Sequence, residues 1–444
     1  MRFCPILGRC GALEKRHRLF AAIAAALILL SGCSLTGVHE LYSLPQAPKE
    51  YLQLQELIDD EIGAGSEYSA PTAGSLRQSI QLVDLDGDGT NEALAFLRNK
   101  DLQPEICVYR KTDENYALAA TIFGDGTAIG RVECADINSD GVSEILVSWE
   151  VSAELRLLKV YSMKDWKSSV LMMASCADFQ LGDLDSNEIT DIIALNLEAS
   201  GGMVDMYTIY KSGNVAQESA RLSTSLRTAD RFRISAIADG TPAVFVEGPY
   251  STDDSNDLLT DIIVFENGEL RNISCGTDED SSAKRHYSVY STDIDGNGSL
   301  DVPLAEKLSG ALEYWIFDWY TYGVDGKSVK CASTYHDYTD GWFFVLPDEW
   351  RSTVSVWREG SVSGERRVIF SSVDEDTGAL MDRLAVYTLT DENRTERAAI
   401  DGRFVLMSSG TVVYAAKIMD GDGAQQDIID RFRLISSEFN TGAL

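Results

Sequence analysis

The sequence predicts a mainly β fold of propeller type, with blades of about 50 residues and four short strands each, and a C-terminal α+β domain. Three observations predict it. An acidic nine-residue loop recurs along the chain. Alternating apolar residues precede each loop and a short apolar run follows it. Beyond residue 334 the loops stop and strand-like runs continue to a closing amphipathic stretch.

The first 33 residues stand outside the fold. Arg2, Arg9, Lys15, Arg16 and Arg18 form a basic leader, and Leu19 to Leu30 is an apolar run too short for a comfortable membrane span. Directly after it, Leu30-Ser31-Gly32-Cys33 resembles the lipobox of bacterial lipoproteins. The resemblance implies cleavage before Cys33, diacylation of its thiol, and a mature protein held by two acyl chains outside the cytoplasmic membrane.

Residues 34–75 follow as a tether and a helix. Within "PKEYLQLQELIDDEIGAG", Tyr51, Leu54, Leu57, Ile58 and Ile62 are spaced for one helix face, stopped by Gly63 and Gly65. This helix is expected to pack on the first repeat.

The 444-residue chain carries 38 basic and 70 acidic residues. Removing residues 1–32 takes away five basic residues and one acidic, leaving 33 against 69, a net −36. So acidic a surface repels nucleic acid and anionic head groups, and makes cation binding the natural question. Beyond Cys33 the cysteines are Cys107, Cys134, Cys176, Cys275 and Cys331, an odd number without CxxC spacing or a neighbouring histidine pair. They read as small buried hydrophobes, with room for one disulfide, and not as a zinc site.

The repeats occupy residues 76–334. In the first, Asp84, Asp86, Asp88, Gly89 and Glu92 stand at positions 1, 3, 5, 6 and 9. The same positions hold Asp136, Asn138, Asp140, Gly141 and Glu144, then Asp183, Asp185, Asn187, Glu188 and Asp191, then Asp293, Asp295, Asn297, Gly298 and Asp301. Side-chain oxygens at alternate positions of a tight turn converge on one point, and an all-oxygen, flexible set suits Ca2+. An EF-hand would need a glutamate at position 12, where Ala95, Val147, Ala194 and Leu304 stand instead. The flanks point to strands: Ile80 and Leu82, Val132 and Cys134, and Phe179 and Leu181 alternate before the loops, while "EALAFL", "EILVSW" and "DIIALNL" follow them. A β-hairpin with a metal in its loop is the expectation.

Loop starts at 84, 136, 183 and 293 leave one interval of 110 residues, so a degenerate copy is expected near 235. Ser235, Ile237, Asp239, Gly240 and Ala243 align there, ahead of "VFV", with the ligands gone. Five repeats are thus visible, and the chain has room for seven. The loop pattern, over roughly Ser75 to Thr334, resembles the FG-GAP or VCBS repeats of integrin-α-like propellers. That resemblance implies several structural calcium sites on a propeller rim, held by the positions named above; Glu188 and the Ser235 copy depart from the pattern.

Residues 335–444 contain "DGWFFVLPDEW", "STVSVW", "RRVIFSSV", "RLAVYTL" and "TVVYAAKI", then Ile428, Phe432, Ile435 and Phe439 at helical spacing. The Trp342 to Trp350 stretch resembles C-terminal modules of Gram-positive lipoproteins. No GxSxG elbow, P-loop or HExxH occurs, and no carboxylate pair stands apart from the loops. The aromatic run Tyr314 to Tyr322 reads as a strand buried on both faces before it reads as a sugar platform. Together these features point to a non-enzymatic, calcium-stabilised lipoprotein at the cell envelope that binds an unidentified protein or glycan. A carbohydrate-active or ligand-sensing protein is the alternative.

Overall fold

A computed structural model describes residues 49–435 apart from 113–114, 153–154, 199–200, 251–256, 276–280, 308–314, 351–352, 374–378 and 420–422. Cys33, the tether to residue 48, and Phe439 lie outside the described residues. The chain divides into two units, Met1–Leu57 and Ile58–Leu444. The described part of the first is the opening of helix α1, Lys49–Gly63, which ends in the second. Leu54 and Ile58 on α1 are buried, Leu57 and Ile62 half-buried, and Tyr51 is exposed, so the predicted stripe is real but narrower than its spacing suggests. Among the described residues no helix is long and apolar enough to cross a membrane.

The second unit is mainly β. Its described strands form six antiparallel sheets in chain order. Sheet I runs Ile80–Val83, Glu92–Arg98, Pro104–Thr112, Asn115–Phe123, with the short strand Glu67–Tyr68 added beside the second. Sheet II holds Ala128–Ala135, Glu144–Glu150, Arg156–Ser162 and Ser169–Cys176. Sheet III holds Asp178–Gly182, Asp191–Glu198, Gly201–Ile209 and Val215–Arg221. Sheet IV holds Arg231–Ala236, Pro242–Pro249, Leu258–Glu266 and Glu269–Asn272, with Lys284–Arg285 pairing the third. Sheet V holds Val302–Lys307, Trp315–Tyr322, Ser328–Asp337 and Trp342–Val345. Sheet VI is ordered Val354–Val362, Glu365–Val373, Leu380–Leu389, Val412–Ile418 and Phe404–Ser409.

The apolar runs after the loops owe their continuity to packing on both faces. In Glu144–Glu150, Ile145, Val147 and Trp149 join Leu94, Phe96 and Val108 of sheet I, while Leu146 joins Phe179 and Ile192 of sheet III. In Asp191–Glu198 the alternation repeats: Ile192 and Ala194 face sheet II, and Ile193 and Leu195 meet Val244 and Val246 of sheet IV. Phe245 of sheet IV in turn lies with Val302 and Tyr322 of sheet V, and Trp342 and Phe344 of sheet V with Phe370 and Leu384 of sheet VI. A strand buried between two layers has no polar face, which is why period 2 vanishes there.

One expectation changes at the C-terminal end. The periodicity from Ile428 predicts one helix, but the helix is only Gln425–Arg431, and Phe432–Leu434 is a strand that returns to pair Trp342–Val345 in sheet V. Phe432 is still buried, because it packs on Trp342 with ring centroids 5.5 Å apart. The cysteines fit the packing reading: Cys107 and Cys176 are buried, and all five described cysteines are unbridged. The aromatic run is likewise a strand, with Ile316, Phe317, Asp318 and Trp319 all buried.

Candidate metal centres

The first three acidic loops each connect the first two strands of their sheet, the fourth leads into Val302–Lys307 of sheet V, and the closing pair stands in the same place each time. Val83 pairs with Glu92, Ala135 with Glu144, Gly182 with Asp191, and Thr292 with Asp301. The position-9 acid is therefore the first residue of the outgoing strand in the first three loops, and in the fourth it immediately precedes the strand Val302–Lys307. There it is enclosed: Glu92 is 1% exposed, and Glu144, Asp191 and Asp301 are 0%.

The carboxylates organise the loops. The position-1 aspartate accepts backbone N–H bonds from across the turn: Asp84 from Gly87 and Gly89, Asp136 from Asp140 and Gly141, Asp183 from Asn187 and Glu188, and Asp293 from Gly296, Asn297 and Gly298, all at 2.8–3.0 Å. Asp88, Asp140, Asn187 and Asn297 at position 5 accept from the N–H two residues on. The position-9 acid accepts from the position-2 N–H: Leu85 to Glu92 at 3.1 Å, Ile137 to Glu144 at 3.3 Å, Leu184 to Asp191 at 2.9 Å and Ile294 to Asp301 at 3.2 Å.

This wrapping demands left-handed backbone at two places. Position 6 has φ 84° at Gly89, 93° at Gly141 and 90° at Gly298, and Glu188 accepts φ 67° where a side chain is strained. Position 4 is also left-handed, at Gly87, Ser139, Ser186 and Gly296, a second column of small residues that the loop pattern as read from sequence passed over. Position 2 was passed over too. Leu85, Ile137 and Leu184 are buried in the layers between successive sheets and pin each loop to the core.

Among the described residues, none of these carboxylates is paired with Lys or Arg. Asp84, Asp86 and Glu92 place ligand oxygens within 4.8 Å of one another, as do Asp183, Asp185 and Asp191. In the second loop Asn138 and Glu144 are joined directly, Asn138 Nδ2 donating to Glu144 Oε1 at 2.8 Å. The third three-ligand group is Asp295, Asp301 and Cys331, which adds a thiol read from sequence as packing only. Asp88, Asp136, Asp140, Glu144 and Asp293 are not in these groups; their oxygens accept N–H bonds of the turn, as do those of Asn187 and Asn297.

Burial raises the affinity of the enclosed acids for protons. Burial is the first cause at all four position-9 acids, with the neighbouring loop aspartates adding to it; it lifts Glu144 to about 7 and Asp301 to about 6, and raises Glu92 and Asp191 from the ordinary range. The residues fit a divalent cation in two respects. Negative charge is gathered without a counter-ion, and Asn138 Oδ1 and Asp301 Oδ1 are buried without a hydrogen-bond partner. An oxygen that accepts one N–H retains a lone pair for an ion.

The degenerate copy is a different turn. Between the paired residues Ala236 and Pro242 lie five residues, 237–241, against the eight, 84–91, between Val83 and Glu92. Ser235 and Ala236 remain in the strand, so the expected place of Ser235 at position 1 is corrected by a shorter loop. Asp239 accepts from Thr241 N–H at 3.0 Å, while Ile237 keeps the buried anchor role.

No protein-family model and no curated protein matches the chain. Among solved structures it is similar to the rhamnogalacturonan lyase YesW, with 11% identity over 85% of this chain and 82% of the lyase, TM-score 0.34. It is also similar to a protein from Lactobacillus plantarum, with 11% identity over 70% of this chain and 84% of the other, TM-score 0.26. At these scores neither likeness bears on the chemistry of the loops.

Proposed function

We propose that this chain is a lipoprotein anchored through Cys33 outside the cytoplasmic membrane, whose sheets form a propeller stabilised by Ca2+ and presenting a binding surface to a protein or glycan of the cell envelope. It acts as a scaffold and not as a catalyst. The propeller reading is supported by consecutive antiparallel sheets that share hydrophobic layers with their successors. One observation carries the calcium reading: in the three all-oxygen loops the position-9 carboxylate, Glu92, Glu144 or Asp191, is buried beside further acids with no cationic partner among the described residues.

Asp84, Asp86 and Glu92, then Asp136, Asn138 and Glu144, then Asp183, Asp185 and Asp191 would hold the ions. Bound calcium would supply the missing positive charge and tie the incoming strand to the outgoing one. Isothermal titration with Ca2+ tests this. Asp86→Asn and Asp185→Asn should each remove or weaken one site while leaving the others, and full-strength binding in both variants would contradict the assignment. The scaffold role is tested by probing glycan and envelope-protein arrays with the calcium-loaded chain; turnover of a polysaccharide would contradict it.

A further inference from the structure

The loop at 293–301 differs from its counterparts in how the second oxygen of its position-9 acid is served. In the second loop Asn138 Nδ2 donates to Glu144 Oε1 at 2.8 Å, and in the third the Thr208 hydroxyl donates to Asp191 Oδ1 at 2.5 Å. Asp301, 0% exposed, receives Ile294 N–H on Oδ2 but has no hydrogen-bond partner on Oδ1. Its carboxylate shares a cluster, with ligand atoms within 4.8 Å, with Asp295 and the Cys331 thiol.

Cys331 arrives there by a deliberate backbone irregularity. Along sheet V, Trp319 pairs with Ala332 and Tyr320 with Lys330, so Cys331 is the extra residue of a β-bulge. Tyr320 also pairs with Val302, which follows Asp301, so the bulge lies across the sheet from the loop's outgoing end. Bulges re-aim side chains next to sites. Equivalent bulges occur in sheets I and II, where Val108 and Tyr109 pair with Ala120 and Leu118, and Val160 and Tyr161 with Met172 and Val170. The extra residues there are Ala119 and Leu171, which carry no ligand.

We infer that Asp295, Asp301 and Cys331 form a mixed carboxylate–thiolate site that takes a thiophilic divalent cation of the zinc or cadmium class, in contrast to the all-oxygen loops. The inference deepens the metal reading above and rests on the same loop family. A thiolate ligand discriminates against calcium, which prefers oxygen, and favours softer ions that accept three protein ligands with a fourth position open. Sequence spacing hides the site, because Cys331 stands 30 residues beyond Asp301 and only the pairing of three strands brings them together.

The test is a Cd2+ titration of the reduced full-length chain, read by thiolate-to-cadmium absorption. One equivalent should bind with the charge-transfer band. Cys331→Ser and Cys331→Asp should abolish the band, Cys331→Ser with at least about tenfold weaker binding, while Cys134→Ser leaves it intact. Calcium titration of the same variants reports whether the other loops still fold. No band, or a band that survives Cys331→Ser, would overturn the inference. A cadmium band without any calcium binding elsewhere would leave this site standing and sink the calcium reading alone, and calcium binding without a band would do the reverse.

Discussion

The acidic loop at 84–92 and the turn at 237–241 join equivalent strands of the first and fourth sheets, and only the first gathers four acids. Both hairpins form, both outgoing strands are buried on two faces, and both place an apolar anchor, Leu85 or Ile237, in the core. The turn achieves this with five residues and one aspartate. The fold therefore does not need the longer loop or its four acids. Gathering Asp84, Asp86, Asp88 and Glu92 costs electrostatic repulsion and, at Glu92, desolvation, which on the proposed reading a bound cation would offset.

Transplanting the short turn into the acidic loops separates their charge from their fold. Replacing residues 84–91, 136–143 and 183–190 with the Ile-Ala-Asp-Gly-Thr turn of 237–241 should abolish the calcium dependence of stability. With Kd of about 0.1 to 1 mM and about 2 mM free ion, each site contributes roughly 0.7 to 1.8 kcal/mol, so three contribute about 2 to 5 kcal/mol. In EDTA the grafted chain should be at least as stable as the parent. Denaturant melts in calcium and EDTA check this, and unfolding of the graft in both would mean the loops are structural in their own right.

A single graft at 84–91 should remove one site's share, about 0.7 to 1.8 kcal/mol, and leave the rest. Glu144 sharpens the same point through pH. Its carboxyl is lifted from the ordinary 4.5 to about 7 in the ion-free fold. Between those values the unfolded chain has released the proton that the folded chain retains, so ion-free stability should fall as pH rises from 4.5 through 7. Calcium binds the ionised form, so its stabilising effect should grow over that window. Glu144→Gln should flatten the ion-free slope and weaken calcium binding; an unchanged slope by urea melts at pH 5 and 7.5 would contradict the burial argument. The smallest effect concerns Glu188, held at φ 67° where the other loops have glycine. Glu188→Gly should stabilise by about 0.5 kcal/mol, as relief of left-handed strain outweighs added chain entropy, and should leave calcium binding at Asp183 and Asp185 intact.

Much of this was legible in the sequence. The loops announce themselves because charge, glycine and spacing recur locally, and the outgoing strands because "EILVSW" and "DIIALNL" are apolar throughout. What was lost depends on pairing across the sheet. The register that makes position 9 the first strand residue and encloses it appears only when Val83 meets Glu92. Thr208 reaches Asp191 from the adjacent strand and Cys331 comes near Asp301 from two strands away, with no trace in local spacing. At the C-terminal end, Ile428 and Phe432 satisfy helical and strand periods alike over four residues, and tertiary pairing with Trp342–Val345 decided for strand at Phe432.

The most direct measurement is a thermal melt of the protein in calcium and in EDTA, with Asp86→Asn, Asn138→Ala and Asp185→Asn combined as the comparison. The account predicts a midpoint at least about 5 °C higher in calcium for the parent chain, lost in the triple variant, with the EDTA midpoints close to each other. Equal midpoints in calcium and EDTA for the parent chain would contradict it, and would leave the acidic loops as turns without an ion.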